Sequence, residues 1–350
     1  MRLSGIDCQI PSNKIVNEEI IELVKFYSTE KYNGSIKDLE ELLRRFIKIT
    51  GINSRFWRSK NEKPIDLLIT SVDRSLKMAG LHRNDIDLVI YSSIDRGFLE
   101  PANASFVCKA IGLNNTRCFD ISDGCMGWGS AVQTANSFLC SYSEIETVLI
   151  INSEFPMDCP GSVLPKNFTI NTISELDWKA PSFTLGEAVS SCIFQKGDYE
   201  TWKYNFVEAS DQAHLCTIQL FNFQNYLTEI KNVNGSSDLQ FYSLGNDLLK
   251  FGFEPAIKVL NDFLKDLKYI PRVIFPHSIS SKVIQEAAIK ASIEFPVCST
   301  FSELGNIATA SIPSAISKAI LNNTFTKGQK GVAWIASAGM KFAAFEIQIQ

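Results

Sequence analysis

Apolar positions recur along this chain at two spacings. After Asn17, the run EEIIELVKFY sets Ile20, Ile21, Val24 and Tyr27 on one face, the form of a capped amphipathic helix. Residues Ile65–Ala79 (IDLLITSVDRSLKMA) repeat that helical period, and Gly80 stands where a left-handed C-cap belongs. The period then breaks: DIDLVIYSS, from Asp85, is a short unbroken apolar run and predicts a buried strand. The same succession returns in the second half, where FEPAIKVLNDFLKDL (Phe253–Leu267) leads into RVIFPHSIS (Arg272–Ser280). Helix followed by apolar strand, twice over, predicts an α/β protein.

The recurrence extends to an internal repeat. Cys118–Leu139 (CFDISDGCMGWGSAVQTANSFL) and Cys298–Ile320 (CSTFSELGNIATASIPSAISKAI) each read as a short strand, a glycine-containing turn and a helix rich in small residues. Setting Cys125 on Asn306 carries Ala131 onto Ile312, Ala135 onto Ile316 and Leu139 onto Ile320, so the apolar periods coincide. Val89 falls close to Val273 in the same way. The simplest reading is two halves of similar plan, residues 1–175 and 176–350, with the boundary near Lys166–Pro181. Residues Glu154–Ser182 have little pattern and much Pro, Asn and Thr, and predict a long loop placed to carry function.

Composition narrows the function classes. With 350 residues, 45% hydrophobic and 21% charged, the chain buries a sizeable core and is neither disordered nor fibrous. Its 34 Lys+Arg against 38 Asp+Glu leave a net charge of −4, with no electrostatic footprint for nucleic acid. The N-terminal MRLSGIDCQIPSNKIVNEEI lacks the cationic start and apolar run of a leader, and no stretch approaches a membrane span, so a cytoplasmic, non-membrane protein is expected. Nine cysteines (8, 108, 118, 125, 140, 159, 192, 216 and 298) include no C-x-x-C pair and no zinc-like spacing with the three histidines. No disulfide framework and no metal are expected.

Three residues carry candidate chemistry. Cys125 follows Asp123-Gly124 at a strand-to-helix turn, where the helix macrodipole and unpaired N–H groups are expected to lower its pKa and favour the thiolate. Read alone, a buried structural cysteine fits as well. His277 closes an apolar strand, and open α/β sheets gather site residues at the C-terminal ends of strands. His82, in the polar turn LHRND, and His214 lack that setting. Asn306 holds in the second half the place of Cys125 in the first; its plain alternative is a helix cap.

Taken together, the strings GCMGWGSAVQTA, PHSISSKVIQEAA and LGNIATASIPSAI resemble the Cys, His and Asn motifs of the β-ketoacyl-acyl-carrier-protein synthase III family. LSGIDCQIPSNKIVNEEI, TGINSR (Thr50–Arg55), KMAGLHRNDIDLVIYSS and the closing GVAWIASAGMKFAAFEI add flanking matches, so the resemblance runs through essentially the whole chain in order. It implies a thiolase fold: two pseudo-symmetric βαβ-based halves, layered α-β-α-β-α, with Cys125 and Asn306 at the starts of two central buried helices. It also implies that Cys125 takes an acyl group from a coenzyme A or acyl-carrier-protein thioester, with backbone N–H groups of Cys125 and Gly339, in the turn Ser337-Ala338-Gly339, as the oxyanion hole. His277 and Asn306 would then donate hydrogen bonds to a malonyl thioester as it loses CO₂ and its enolate attacks the acyl group. No cofactor beyond the thioesters is implied, and a homodimer is expected.

Departures from the family pattern bear on the partners. The place of a tryptophan that stacks on the adenine of coenzyme A is held by Arg45, which can stack too. The family's F-G-D-G-A segment reads LGEAV (Leu185–Val189), and the closing motif has become SAGMKF. With the long Glu154–Ser182 segment, these differences point to specialised metabolite assembly rather than housekeeping fatty-acid initiation. Lys250 matches a basic position near the tunnel mouth, suited to an acidic carrier protein, whereas Lys258, Lys265 and Lys268 read as a solvated face. Phe98 and Leu99 lie where a partner subunit lends an apolar residue to the acyl pocket. Other readings stay open: acyl transfer from Cys125 to an alcohol, amine or other nucleophile without decarboxylation, a non-catalytic partner subunit of another ketosynthase, and a cysteine hydrolase.

Overall fold

The computed structural model describes residues 1–157, 162–197, 202–221, 223 and 236–349. Cys159 lies outside the described residues. The first part of the chain runs β1 (Arg2–Gln9), β2 (Asn13–Val16), α1 (Asn17–Ser28), α2 (Ile36–Thr50), β3 (Ser54–Trp57), α3 (Pro64–Ala79), β4 (Leu88–Tyr91), α4 (Asn103–Ala110), β5 (Arg117–Asp120), α5 (Gly127–Ser141) and β6 (Thr147–Glu154). It continues through α6 (Leu176–Lys179), β7 (Ala188–Gln195), β8 (Tyr204–Glu208), β9 (Cys216–Ile218), β10 (Phe241–Ser243) and α7 (Gly245–Lys265). Then follow β11 (Ile274–Pro276), α8 (Ser281–Lys290), α9 (Phe301–Leu304), α10 (Ser311–Leu321), β12 (Lys330–Ser337) and β13 (Lys341–Gln348).

Two sheets carry the architecture, in the orders β1-β7-β6-β4-β5 and β8-β13-β12-β11. Their pairing repeats: β4 is parallel to β6 as β11 is to β12, β6 antiparallel to β7 as β12 is to β13, and β7 antiparallel to β1 as β13 is to β8. The repeat inferred from coincident apolar periods is thus a repeat of hydrogen-bonded topology. Strand β7 lies beyond the boundary expected at 175/176, yet it pairs with β6 and β1, so the first sheet draws its chain as far as Gln195.

The strands are apolar on both faces because both faces are covered. In β4 and β6, Leu88, Ile90, Val148 and Ile150 face the central helices α5 and α10, which touch the second sheet through Ala333, Ile335, Ala343 and Phe345. The alternate residues Val89, Tyr91, Leu149 and Ile151 pack with α3 and α4. On the far side, Ile274, Val332, Trp334 and Phe342 pack with α7 and α8. The result is five layers, helix, sheet, helix, sheet, helix. Helix α3 ends at Gly80 in the left-handed region (φ 68°) as expected.

Two expectations need correction. Asn17 is the first residue of α1 and not its cap; Val16 N donates to Glu19 Oε2 at 2.7 Å, and the Asn17 side chain donates instead to Ile52 O and accepts from Arg55 Nη1. Segment 154–182 is not a featureless loop. Its described part carries helical turns at Lys166–Phe168, Ile173–Glu175 and Leu176–Lys179, and buries Met157, Val163, Phe168 and Ile170 against α1 and α2.

Candidate active site

Both central helices are entered through a tight turn that follows a glycine with positive φ. Gly124 (φ 52°) leads into the one-turn helix Gly124–Met126 and then α5; Gly305 (φ 74°) leads through Asn306 into Ala308–Ala310 and then α10. A side chain at Gly305 would also meet Thr184 O at 2.3 Å, so only glycine brings the backbone this close before Asn306. The two turns meet between the sheets. Cys125, Asn306 and His277, from the end of β11, line one cavity of about 1090 Å³.

Cys125 is half-buried, and its sulfur is met by its own backbone N–H and that of Ala338. Ala338 stands one residue before Gly339 in the same turn. Gly339, which also lines the cavity, supplies the left-handed bend (φ 76°) of the β12–β13 hairpin that turns the Ala338 N–H inward. Met126 N donates to Ser337 Oγ at 2.9 Å, and Lys341 Nζ reaches Asp123 Oδ1 at 2.6 Å, fastening that hairpin to the turn carrying Cys125. The expectation of a lowered thiol pKa is overturned. Burial, the neighbouring Cys216 thiol and the Glu154 carboxylate push the Cys125 thiol well up, against the pull of the two N–H groups. Desolvation in the cavity wall outweighs the end of a helix.

His277 is 5% exposed, and burial lowers its pKa to about 4, so the ring is neutral. Its Nδ1 lies 2.7 Å from Ser311 Oγ, and Ser311 Oγ donates to Ala308 O at 2.7 Å. A hydroxyl has one proton. Both bonds form together only when Nδ1–H donates to Ser311, which leaves Nε2 as an acceptor. Asn306 Oδ1 accepts from Ala308 N at 3.0 Å, so its amide N–H₂ is the part left to donate.

The binding residues divide. Phe98 and Leu99 line the cavity and are 47% and 75% exposed. Arg45 is exposed on α2 outside the cavity wall, which α2 meets through Phe46, Ile49 and Thr50. Lys250 is exposed on α7 and sits over the Phe251 ring at 5.2 Å; its neighbour Leu249 lines the cavity, and Lys250 does not. Lys258 and Lys265 pair with Asp262 on the solvent side of α7. His82 and His214 are exposed, away from the cavity.

The structure adds residues that sequence reasoning passed over. Asp95, Glu154 and Cys216 all line the cavity. Glu154 is 1% exposed and accepts from Thr309 Oγ1, across the two halves. The only signal in the sequence was an acidic residue ending an apolar strand, which reads as a strand leaving the core. No helix among the described residues is long and apolar enough to cross a membrane.

A five-layered pair of repeats, with the lead-in turns of the two central helices meeting at a cavity that holds Cys, His and Asn, is the thiolase fold. Residues 269–349 match the family described as 3-oxoacyl-[acyl-carrier-protein (ACP)] synthase III C terminal. The chain is 24% identical to β-ketoacyl-[acyl-carrier-protein] synthase III of Neisseria meningitidis, over 95% of this chain and 97% of that one. Its fold matches 3-oxoacyl-[acyl-carrier-protein] synthase III of Aquifex aeolicus with a TM-score of 0.77, at 17% identity and 99% coverage of both chains. It also matches a variant OleA of Xanthomonas campestris crystallised with lauric acid and lauroyl-CoA, with a TM-score of 0.80 at 18% identity, over 99% of this chain and 98% of that one. The chain is similar to synthase III enzymes over 95% of its sequence, and its fold matches theirs over 99%.

Proposed function

We propose that this protein is a ketosynthase III-like acyltransferase whose Cys125 takes an acyl group from an acyl-CoA or acyl-carrier-protein thioester and passes it to a malonyl thioester by decarboxylative Claisen condensation. One observation carries the reading: the Cys125 sulfur faces the cavity between two backbone N–H groups, its own and that of Ala338. Donors fixed there stabilise the oxyanion of an acyl-transfer intermediate. The Asn306 amide faces the same space and suits the carbonyl of the second thioester, whose enolate oxygen it would hold. The thioesters are the only co-substrates the chemistry needs. The apolar walls contributed by Phe46, Phe241, Leu249 and Phe253 suit a hydrocarbon chain. An acyl carrier protein docking near Lys250 and assembly as a homodimer in the cytoplasm complete the proposal, and fatty-acid-type or specialised metabolite synthesis is its setting.

A second reading is favoured by the His277–Ser311–Ala308 chain. With Nδ1 donating, Nε2 offers a lone pair and no proton, so it orients an incoming hydroxyl or amine better than it holds an enolate oxygen. The acyl group would then pass to that nucleophile without loss of CO₂. The discriminating experiment loads the enzyme with lauroyl-CoA and adds malonyl-CoA, malonyl carrier protein, or a panel of alcohols and amines. Discharge with release of CO₂ supports condensation; discharge by the alcohols or amines alone supports the second reading. Selective ¹⁵N labelling of the three histidines reads the tautomer directly.

A further inference from the structure

Two carboxyl groups in the cavity wall have no part in that scheme. Asp95 follows β4 and Glu154 ends β6, the two strands that run parallel side by side. Their side chains are crossed. Glu154 accepts from Ile94 N at 3.2 Å and from Asp95 N at 3.4 Å, while Asp95 Oδ2 accepts from Phe155 N at 2.8 Å. Each carboxyl is thus tied to backbone beside the other, and both are buried, at 6% and 1% exposure. Thr309 of the lead-in to α10 holds Glu154 from the opposite half.

We propose that Asp95 and Glu154 form a proton-sharing carboxyl pair that accepts the proton of the Cys125 thiol when the acyl group is loaded and returns it to the departing carrier thiol. The proposal rests on the acyl-transfer reading of Cys125. In balance, the Cys125 sulfur forms a bond to the acyl carbonyl carbon while its proton passes to the ionised oxygen of the pair. The tetrahedral intermediate collapses, the bond from carbon to carrier sulfur breaks with its electrons on sulfur, and the pair gives that sulfur its proton. Nothing is oxidised or reduced.

The surroundings favour this assignment. Two carboxyl groups in a dry wall ionise together only at high cost, so the pair titrates as one unit that keeps a proton above the ordinary carboxyl range. Burial raises both, against the hydrogen bonds from Thr309, Ile94 and Asp95 that hold Glu154 down, and the Glu154 charge raises Asp95 further; Glu187 ahead of β7 also acts on Asp95, and Tyr91 of β4 feels both carboxylates and Asp120 of β5. Among cations of the cavity wall, Lys341 is bound to Asp123. Arg96 donates to Ser93 O. The thiol needs an acceptor, because burial and the Glu154 charge keep its proton on. His277 serves poorly as that acceptor, since burial holds it neutral down to about pH 4.

The test uses the full chain, with iodoacetamide and lauroyl-CoA as separate probes of Cys125 and intact mass as readout. Glu154→Gln removes a negative charge beside the thiol, so alkylation at pH 7 is expected to rise about tenfold. Acylation by lauroyl-CoA is expected to fall about 10²- to 10⁴-fold, the usual cost of a lost acid or base. Asp95→Asn removes the sharing partner and should move the acid limb of the acylation–pH profile down towards the ordinary carboxyl range. Opposite movement of the two rates supports the pair. Acylation of Glu154→Gln at the wild-type rate, or both rates falling by one factor with an unmoved pH midpoint, overturns it. A wild-type chain that is alkylated but never acylated overturns the Cys125 reading, and the pair's role with it.

Discussion

The two halves share a plan of strands and helices, yet the two places where they meet are furnished differently. In each, a polar side chain at the end of a sheet strand receives a hydrogen bond from the lead-in turn of the other half. Ser337, closing β12, accepts from Met126 N; Glu154, closing β6, accepts from Thr309 Oγ1. One brace is neutral and the other ionisable. The lead-in turns differ likewise, since one presents a thiol and the other an amide. Symmetry supplies a rigid frame that aims both turns at one cavity, and the chemistry sits where the symmetry breaks.

Breaking the asymmetry at the turns should have the largest effect. Cys125→Ala is expected to abolish acyl loading, a loss of more than about 10³-fold, while Tm stays within a few degrees of wild type. Intact mass and thermal melts read both. Asn306→Ala removes one donor of the second half-reaction and should slow product formation about 10²- to 10³-fold while leaving the loading burst in place, which single-turnover kinetics separate.

The braces give the next contrast. Thr309→Val removes a donor from the buried Glu154 and is expected to cost about 1–3 kcal/mol in denaturant unfolding, whereas Ser337→Ala leaves the Met126 N–H its bond to Asp123 O and is expected to cost about 0.5–1.5 kcal/mol. The two should part company with pH. Burial raises the Glu154 and Asp95 carboxyls, and the Glu154 charge raises Asp95 further, so the folded chain keeps a proton that the unfolded chain releases in the ordinary carboxyl range. Their contribution to stability is full below that range and is lost as pH rises through the raised folded values. Glu154→Gln should therefore flatten the decline of stability towards neutral pH, whereas Ser337→Ala should leave its slope unchanged. The smallest effect is expected at Lys341→Met, which cuts the partly exposed ion pairs to Asp123 and Glu208, each worth about 0.2–1 kcal/mol, and loosens the hairpin that bears the Ala338 N–H.

Much of the frame was legible because burial on both faces imposes periodicity. Ala131, Ala135 and Leu139 mirror Ile312, Ile316 and Ile320 since both helices lie between the same two sheets. Cys125, His277 and Asn306 stood out through the turns and strand end that carry them. What stayed hidden depends on contacts distant in sequence. The thiol's direction of shift reversed because burial, Cys216 and Glu154 act on it from elsewhere in the fold. Glu154 ends TVLIINSE, where an acid looks like the start of a surface turn until Thr309 is seen against it. Residues 162–170 read as loop because their apolar partners are on α1 and α2, more than a hundred positions earlier. The contact of the Ala338 N–H with the Cys125 thiol stayed hidden because it depends on the hairpin's bend at Gly339, more than two hundred positions further on.

The most direct measurement incubates the wild-type chain and Cys125→Ala with acyl-CoA thioesters of two to twelve or more carbons, and weighs the intact protein. A mass gain of one acyl group on the wild type, mapped to Cys125 and missing from Cys125→Ala, is the predicted result. An adduct that survives in Cys125→Ala, or a wild type that takes up no acyl group from any donor, would contradict it.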